Sequence, residues 1–268
     1  RALDAGRVDA ARARLDAVTD TGRTGARKRA LLAVVDVARN APDAALARLA
    51  DDDAAAVPAV AVARSYALQA QGELTAARDA LRASTAGGGA ENALVWARLA
   101  ELELAFGARR AALEAADRAA GLADRGETRI VQGFAALLAF DLRSARLAFE
   151  AALARDAQNP LAHLGLALAA IRAGDLAAGE RALEVAVAQD PNRALTRSYL
   201  GKAYAEAFRD AKAGTQLDIA KALDPADPTP WYYDALRKAD GNRPVEALAD
   251  LEQAQQLNDN RFITRSRL

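Results

Sequence analysis

His163 is the only histidine in this 268-residue chain, and no cysteine stands beside it. A base without a nucleophile or a second imidazole builds no catalytic triad, and one imidazole without thiolates holds no structural zinc. Asp51-Asp52-Asp53 gathers three carboxylates. Calcium loops alternate their oxygen ligands around a turn glycine, so the expectation here is a solvated helix end. An acidic C-terminus also opposes the helix dipole, which predicts a short helix before Asp51. Gly22-Arg23-Thr24-Gly25-Ala26-Arg27-Lys28-Arg29 has the glycines and cations of a phosphate loop. It lacks the Gly-Lys-Ser/Thr ending and a preceding strand, and is expected to be a basic turn leading into a helix. No catalytic, cofactor-binding or metal-ligating residue is assigned, and the expectation is a protein that is not an enzyme.

Composition points the same way. Lys plus Arg and Asp plus Glu both number 36, so no bulk field favours nucleic acid or an anionic membrane. The high apolar content is mostly alanine, which favours helices and lets them approach closely. No apolar run reaches the ~18 residues that cross a bilayer, so no direct membrane insertion is expected. Arg1 cannot be a natural start, and the chain reads as cut from a longer protein.

The elements that would position any site follow from a period. Gly133, Ala167, Gly201 and Ala235 are separated by thirty-four residues, and Ala152, Ala186, Ala220 and Ala254 keep the same step. Fixed periods of this size mark solenoids of helix pairs. Counting Pro160 as position 1, Leu166-Ala167 fall at 7 and 8, Gly174 at 15, Gly179 at 20, Leu183 at 24, Ala186 at 27 and Pro191 at 32. The next step supplies Leu200-Gly201, Tyr204, Ala213, Leu217, Ala220 and Pro225. This pattern resembles the tetratricopeptide repeat, in which small residues at 8, 20 and 27 admit bulky ones at 4, 7, 11 and 24. His163, at position 4, is then expected to pack. The resemblance implies an all-α, right-handed superhelical solenoid of about 15 or 16 helices. It divides into a partial repeat over 1–25, two degenerate repeats over 26–92 ending in a flexible Gly-rich loop, and repeats over 93–125, 126–159, 160–193, 194–227 and 228–261. Residues 262–268 are expected to begin a further helix.

In arrays of this kind the concave groove is lined by positions 2, 5, 9 and 12 of the first helix of each pair, which share one helical face. Here those positions hold Val62 and Tyr66; Ile130, Phe134 and Leu137; Leu161, Leu164, Leu168 and Ile171; Leu195, Ser198 and Lys202; and Tyr232 and Leu236. A contiguous apolar patch fits a protein or peptide partner, either an amphipathic helix or an extended apolar segment. The competing expectation is that the same side chains pack against neighbouring helices. The family's carboxylate clamp of groove lysines, arginines and asparagines is missing, which disfavours an acidic C-terminal peptide in the groove. No cofactor is expected. Self-association is expected through end repeats whose neighbours are absent.

A narrower resemblance lies at the C-terminal end. Asp224-Pro225-Ala226-Asp227-Pro228-Thr229-Pro230-Trp231-Tyr232-Tyr233-Asp234, Asn242-Arg243-Pro244 and the ending Thr264-Arg265-Ser266-Arg267-Leu268 look like the repeat region of proteobacterial envelope proteins. Those proteins join a FecR-type or signal segment, a tetratricopeptide array and an outer-membrane β-barrel. The resemblance implies a scaffold in the bacterial envelope, facing the periplasm; a cytoplasmic setting stays open. The alternative function is a scaffold for envelope polysaccharide export, with Trp96, Trp231 and Tyr232 as saccharide contacts. Locally, Trp231 and Tyr232 are expected to anchor their helix on opposite sides.

Overall fold

A computed structural model describes residues 8–18 and 22–257. It is an all-α solenoid of antiparallel helix pairs, with fifteen helices and no strand among the described residues. Contacts divide the chain into two compact units, 1–124 and 125–268. The first unit holds α1 (Val8–Asp16), α2 (Gly22–Ala38), α3 (Pro42–Arg48), α4 (Pro58–Ala70), α5 (Leu74–Thr85), α6 (Ala93–Ala105) and α7 (Arg109–Leu122). The second holds α8 (Gly126–Leu138), α9 (Leu142–Leu153), α10 (Pro160–Arg172), α11 (Leu176–Gln189), α12 (Ala194–Glu206), α13 (Asp210–Leu223), α14 (Thr229–Asp240) and α15 (Pro244–Leu257). The helix expected over 262–268 and the ending from Thr264 to Leu268 lie outside the described residues, as does part of 1–25.

Local chemistry sets these boundaries. Asn92 and Asn159 accept hydrogen bonds from the first free N–H groups of α6 and α10, and Asp141 and Asp175 do so for α9 and α11. Prolines open α3, α4, α10 and α15, where their missing N–H costs nothing. Fully buried Ala77, Ala112, Ala145, Ala186, Ala213 and Ala220 let paired helices touch.

Three expectations need correction. The basic stretch from Gly22 is the opening of α2 rather than a turn before it. The short helix α3 stops at Arg48 as expected and Asp51 is exposed, but Asp52 is half-buried and takes a two-pronged bond from Arg29, and the exposed Asp53 accepts from the N–H groups of Ala55 and Ala56. The Arg29 bond holds the Asp52 carboxyl below its usual range. The Gly-rich segment is a packed loop, not a flexible one. The Gly88 N–H donates to Ala55 O at 2.8 Å, and a Cβ on Gly88 would fall 2.3 Å from Ala56 O. Trp96 fastens the same loop through its indole N–H to Ala90 O.

The turns inside the helix pairs share one backbone device. Asn40, Gly72, Gly107, Phe140, Gly174, Phe208 and Asn242 all have positive φ. Glycine and asparagine suit that region, whereas an aromatic there is strained. Phe208 has φ 58° and is 97% exposed, so it gains little by packing. Phe208→Gly is expected to raise stability by about 0.5–1 kcal/mol. A urea midpoint equal to or below that of the parent chain would remove strain as the explanation.

Candidate functional site

The groove positions separate by angle. A helix advances about 100° per residue, so positions 5 and 12 turn some way toward the paired helix while 2 and 9 do not. Accordingly Ile130, Leu137, Leu164 and Ser198, all at 5 or 12, are buried, the Ser198 hydroxyl donating to Ala194 O. Phe134, Leu161, Leu168 and Ile171 are half-buried against the cores of their hairpins, with the Phe134 ring edge-on to Phe149 at 5.0 Å. Leu195 and Leu236 are exposed and Tyr232 is half-buried. Lys202 pairs with Glu206 one turn on and approaches the Tyr233 ring. The second unit therefore presents apolar atoms along this face chiefly from Phe134, Leu161, Leu168, Leu195, Tyr232 and Leu236.

Behind that row lies an aromatic ladder. Tyr199 and Tyr233 stand 6.0 Å apart and Tyr232 and Tyr233 5.7 Å apart. Burial, then the neighbouring Tyr199, pushes the Tyr233 hydroxyl above its ordinary range. Trp231 packs with the Lys221 ammonium 4.3 Å over its ring, and its indole nitrogen is buried.

In the first unit the equivalent face forms a cleft of about 200 Å³. Val62 lines it, together with Leu31, Val34, Pro58 and Leu94, and Arg27 stands beside them. Leu31 and Leu94 are 47% and 48% exposed, a cost in water that only a covering surface removes. Neither was singled out from the sequence. Leu94 occupies position 2 of the repeat that begins at Ala93 and could have been found there; α2 belongs to a degenerate repeat whose register gives no such guide. Tyr66, in contrast, is engaged from within. The guanidinium of buried Arg98 lies 3.8 Å over its ring and donates to Ser65 Oγ at 3.0 Å.

The remaining chemistry-bearing residues are structural. His163 sets a ring nitrogen 3.0 Å from Ala157 O, closing the loop before α10. Among the described residues no three His, Cys, Asp or Glu side chains gather to hold a metal ion. No helix there is long and apolar enough to cross a membrane.

Comparison with known proteins agrees with this architecture. The tetratricopeptide repeat family profile matches residues 136–197. No curated protein sequence matches the chain. Among solved structures, a chain of the APC/C hetero-tetramer Cut9-Hcn1 superposes with a TM-score of 0.72 at 16% identity, covering 90% of this chain and 48% of that one. A tetratricopeptide repeat protein from Parabacteroides merdae gives 0.64 at 15% identity, covering 87% and 93%. Pseudomonas aeruginosa pilF gives 0.60 at 19% identity, covering 80% and 99%. The chain thus spans about half the length of the Cut9-Hcn1 chain it resembles. At these identities the likeness is one of fold.

Proposed function

We propose that this tetratricopeptide-repeat chain is a non-catalytic docking scaffold that holds an apolar peptide or amphipathic helix of a partner protein against the first helices of its pairs. The observation that carries the proposal is the open cleft of Leu31, Val34, Val62 and Leu94 in the first unit; the second unit by itself leaves Leu195 and Leu236 exposed at the matching repeat positions. Large apolar side chains left at one repeat-defined face suit a partner surface better than a solvated one. A photo-cross-linking residue at Leu94 or Leu195 should capture a partner in cells. The exposed-site variant Leu94→Ser/Leu195→Ser/Leu236→Ser should weaken binding of that partner roughly tenfold or more while keeping its helicity. Undiminished affinity in the triple variant would rule the groove out.

The envelope setting belongs to the same proposal and rests on the resemblance of Asp224–Asp234 and the residues after it. Fractionation of cells carrying the full-length protein tests it, and recovery wholly in the cytosol would refute it.

A further inference from the structure

A second cavity, of about 440 Å³, opens between α9, α10 and α11. Leu142, Leu166 and Ala170 give it an apolar lining, with Arg143, Arg146 and Asp175 around it. It lies away from the groove: at about 100° per residue, Leu166, Ala169, Ala170 and Ala173 fall on the side of α10 opposite Leu161, Leu164, Leu168 and Ile171.

The next step of the array carries the same crevice with its charges exchanged. Thirty-four residues on, Leu176, Ala177, Glu180 and Arg209 stand for Leu142, Arg143, Arg146 and Asp175. There Glu180 and Arg209 join at 2.7 Å, and the cavity is only about 190 Å³. At the first crevice the corresponding pair is not made. Asp175 accepts from the Ala178 N–H at 2.9 Å as a helix cap, and Asp141 is likewise engaged by the Ser144 N–H. Arg146 reaches only Glu150 of its own helix, at 3.8 Å with both side chains largely exposed, and Arg143 makes no ion pair within 4 Å among the described residues. Arg143 and Arg146 therefore border an apolar hole that is narrower one repeat later, where the homologous ion pair is made.

We propose that this crevice is a second docking site, for an extended peptide segment of a partner that inserts a phenylalanine or leucine between acidic residues. The volume is ample for a large apolar side chain, and Arg143 and Arg146 match flanking carboxylates through charge-assisted hydrogen bonds. The site is independent of the groove proposal, because it uses the other side of α10 and different residues.

The test uses the 268-residue chain and fluorescent, end-capped nonapeptides with a central phenylalanine flanked by glutamates. Matched controls carry flanking lysines or a central alanine. The acidic phenylalanine peptide is expected to bind at least roughly tenfold more tightly than either control, and Arg143→Glu/Arg146→Glu is expected to remove that preference. Both arginines are exposed, so circular dichroism should show the variant folded. The groove variant Leu94→Ser/Leu195→Ser/Leu236→Ser should bind the same peptide unchanged. Equal binding of acidic and lysine peptides overturns the proposal. So does loss in the groove variant rather than in the arginine variant, or a preference for phosphatidylglycerol vesicles that the arginine variant abolishes.

Discussion

Phe149→Ala is expected to destabilise the second unit by about 3–5 kcal/mol. Phe149 is fully buried on α9, and its ring occupies space vacated on two other helices. A Cβ built on Gly133 of α8 would stand 2.6 Å from that ring, and one on Gly165 of α10 only 2.2 Å away. Deleting the ring leaves a cavity that fixed helices cannot collapse to fill. Adding a methyl at Gly165 forces the opposite fault, overpacking, at about 1–3 kcal/mol. The two faults must compensate. Phe149→Leu shortens the side chain, and Gly165→Ala refills part of the space, so the double variant should be less destabilised than the sum of the single ones. The array itself exchanges volume this way: the residues one and two steps on are Leu183 with Tyr199 and Leu217 with Tyr233. Urea midpoints for the four proteins of the cycle measure the coupling. Strict additivity would mean that the ring and Gly165 do not share the space described.

That pair also shows where the sequence stops being readable. Gly133 and Phe149 stand at repeat positions whose size requirements are known, so the all-α solenoid and its close-packed helices follow from spacing alone. Gly165 sits at position 6, for which the repeat pattern prescribes nothing. Its one signal was a glycine inside a helix, about 1 kcal/mol worse than alanine with no turn to justify it. The groove face has the same character. Periodicity puts Leu161, Leu164, Leu168 and Ile171 on one stripe, but the stripe is wide enough that Leu164 turns into the core while Leu161 and Leu168 stay half-open. Spacing resolves a helical face, not which of its edges a neighbouring hairpin covers. The crevice beside Arg143 and Arg146 was further out of reach, since it depends on which charges fail to meet across helices.

Asp234→Asn is expected to cost about 2–4 kcal/mol at pH 7, with the loss confined to the last two hairpins. Asp234 is 2% exposed on α14, where a carboxylate survives only by being paired. Lys221 of α13 donates to it at 2.6 Å, Arg237 at 2.7 Å, and Lys238 lies 3.2 Å away. Lys238 also reaches Asp250 of α15 at 2.6 Å, and Arg237 reaches Asp210 of α13 at 2.7 Å, so one network fastens three helices. An asparagine keeps the shape and removes the charge, leaving three cations with too few carboxylates. Burial alone would raise the Asp234 pKa, but the bonds from Lys221 and Arg237 outweigh it and bring it from the ordinary 3.8 down to about 2. A folded-state value below the unfolded one gives stability that is fully present above the unfolded value and is lost as pH falls through the folded value. The gap between parent and variant should therefore be full at pH 7, shrink below about pH 4 and narrow most near pH 2. Hydrogen exchange of the α14 and α15 amides across that range reads the effect where it arises. A gap that stays constant down to pH 2 would show that the asparagine disturbs packing, and that the charge of Asp234 is not what holds the three helices.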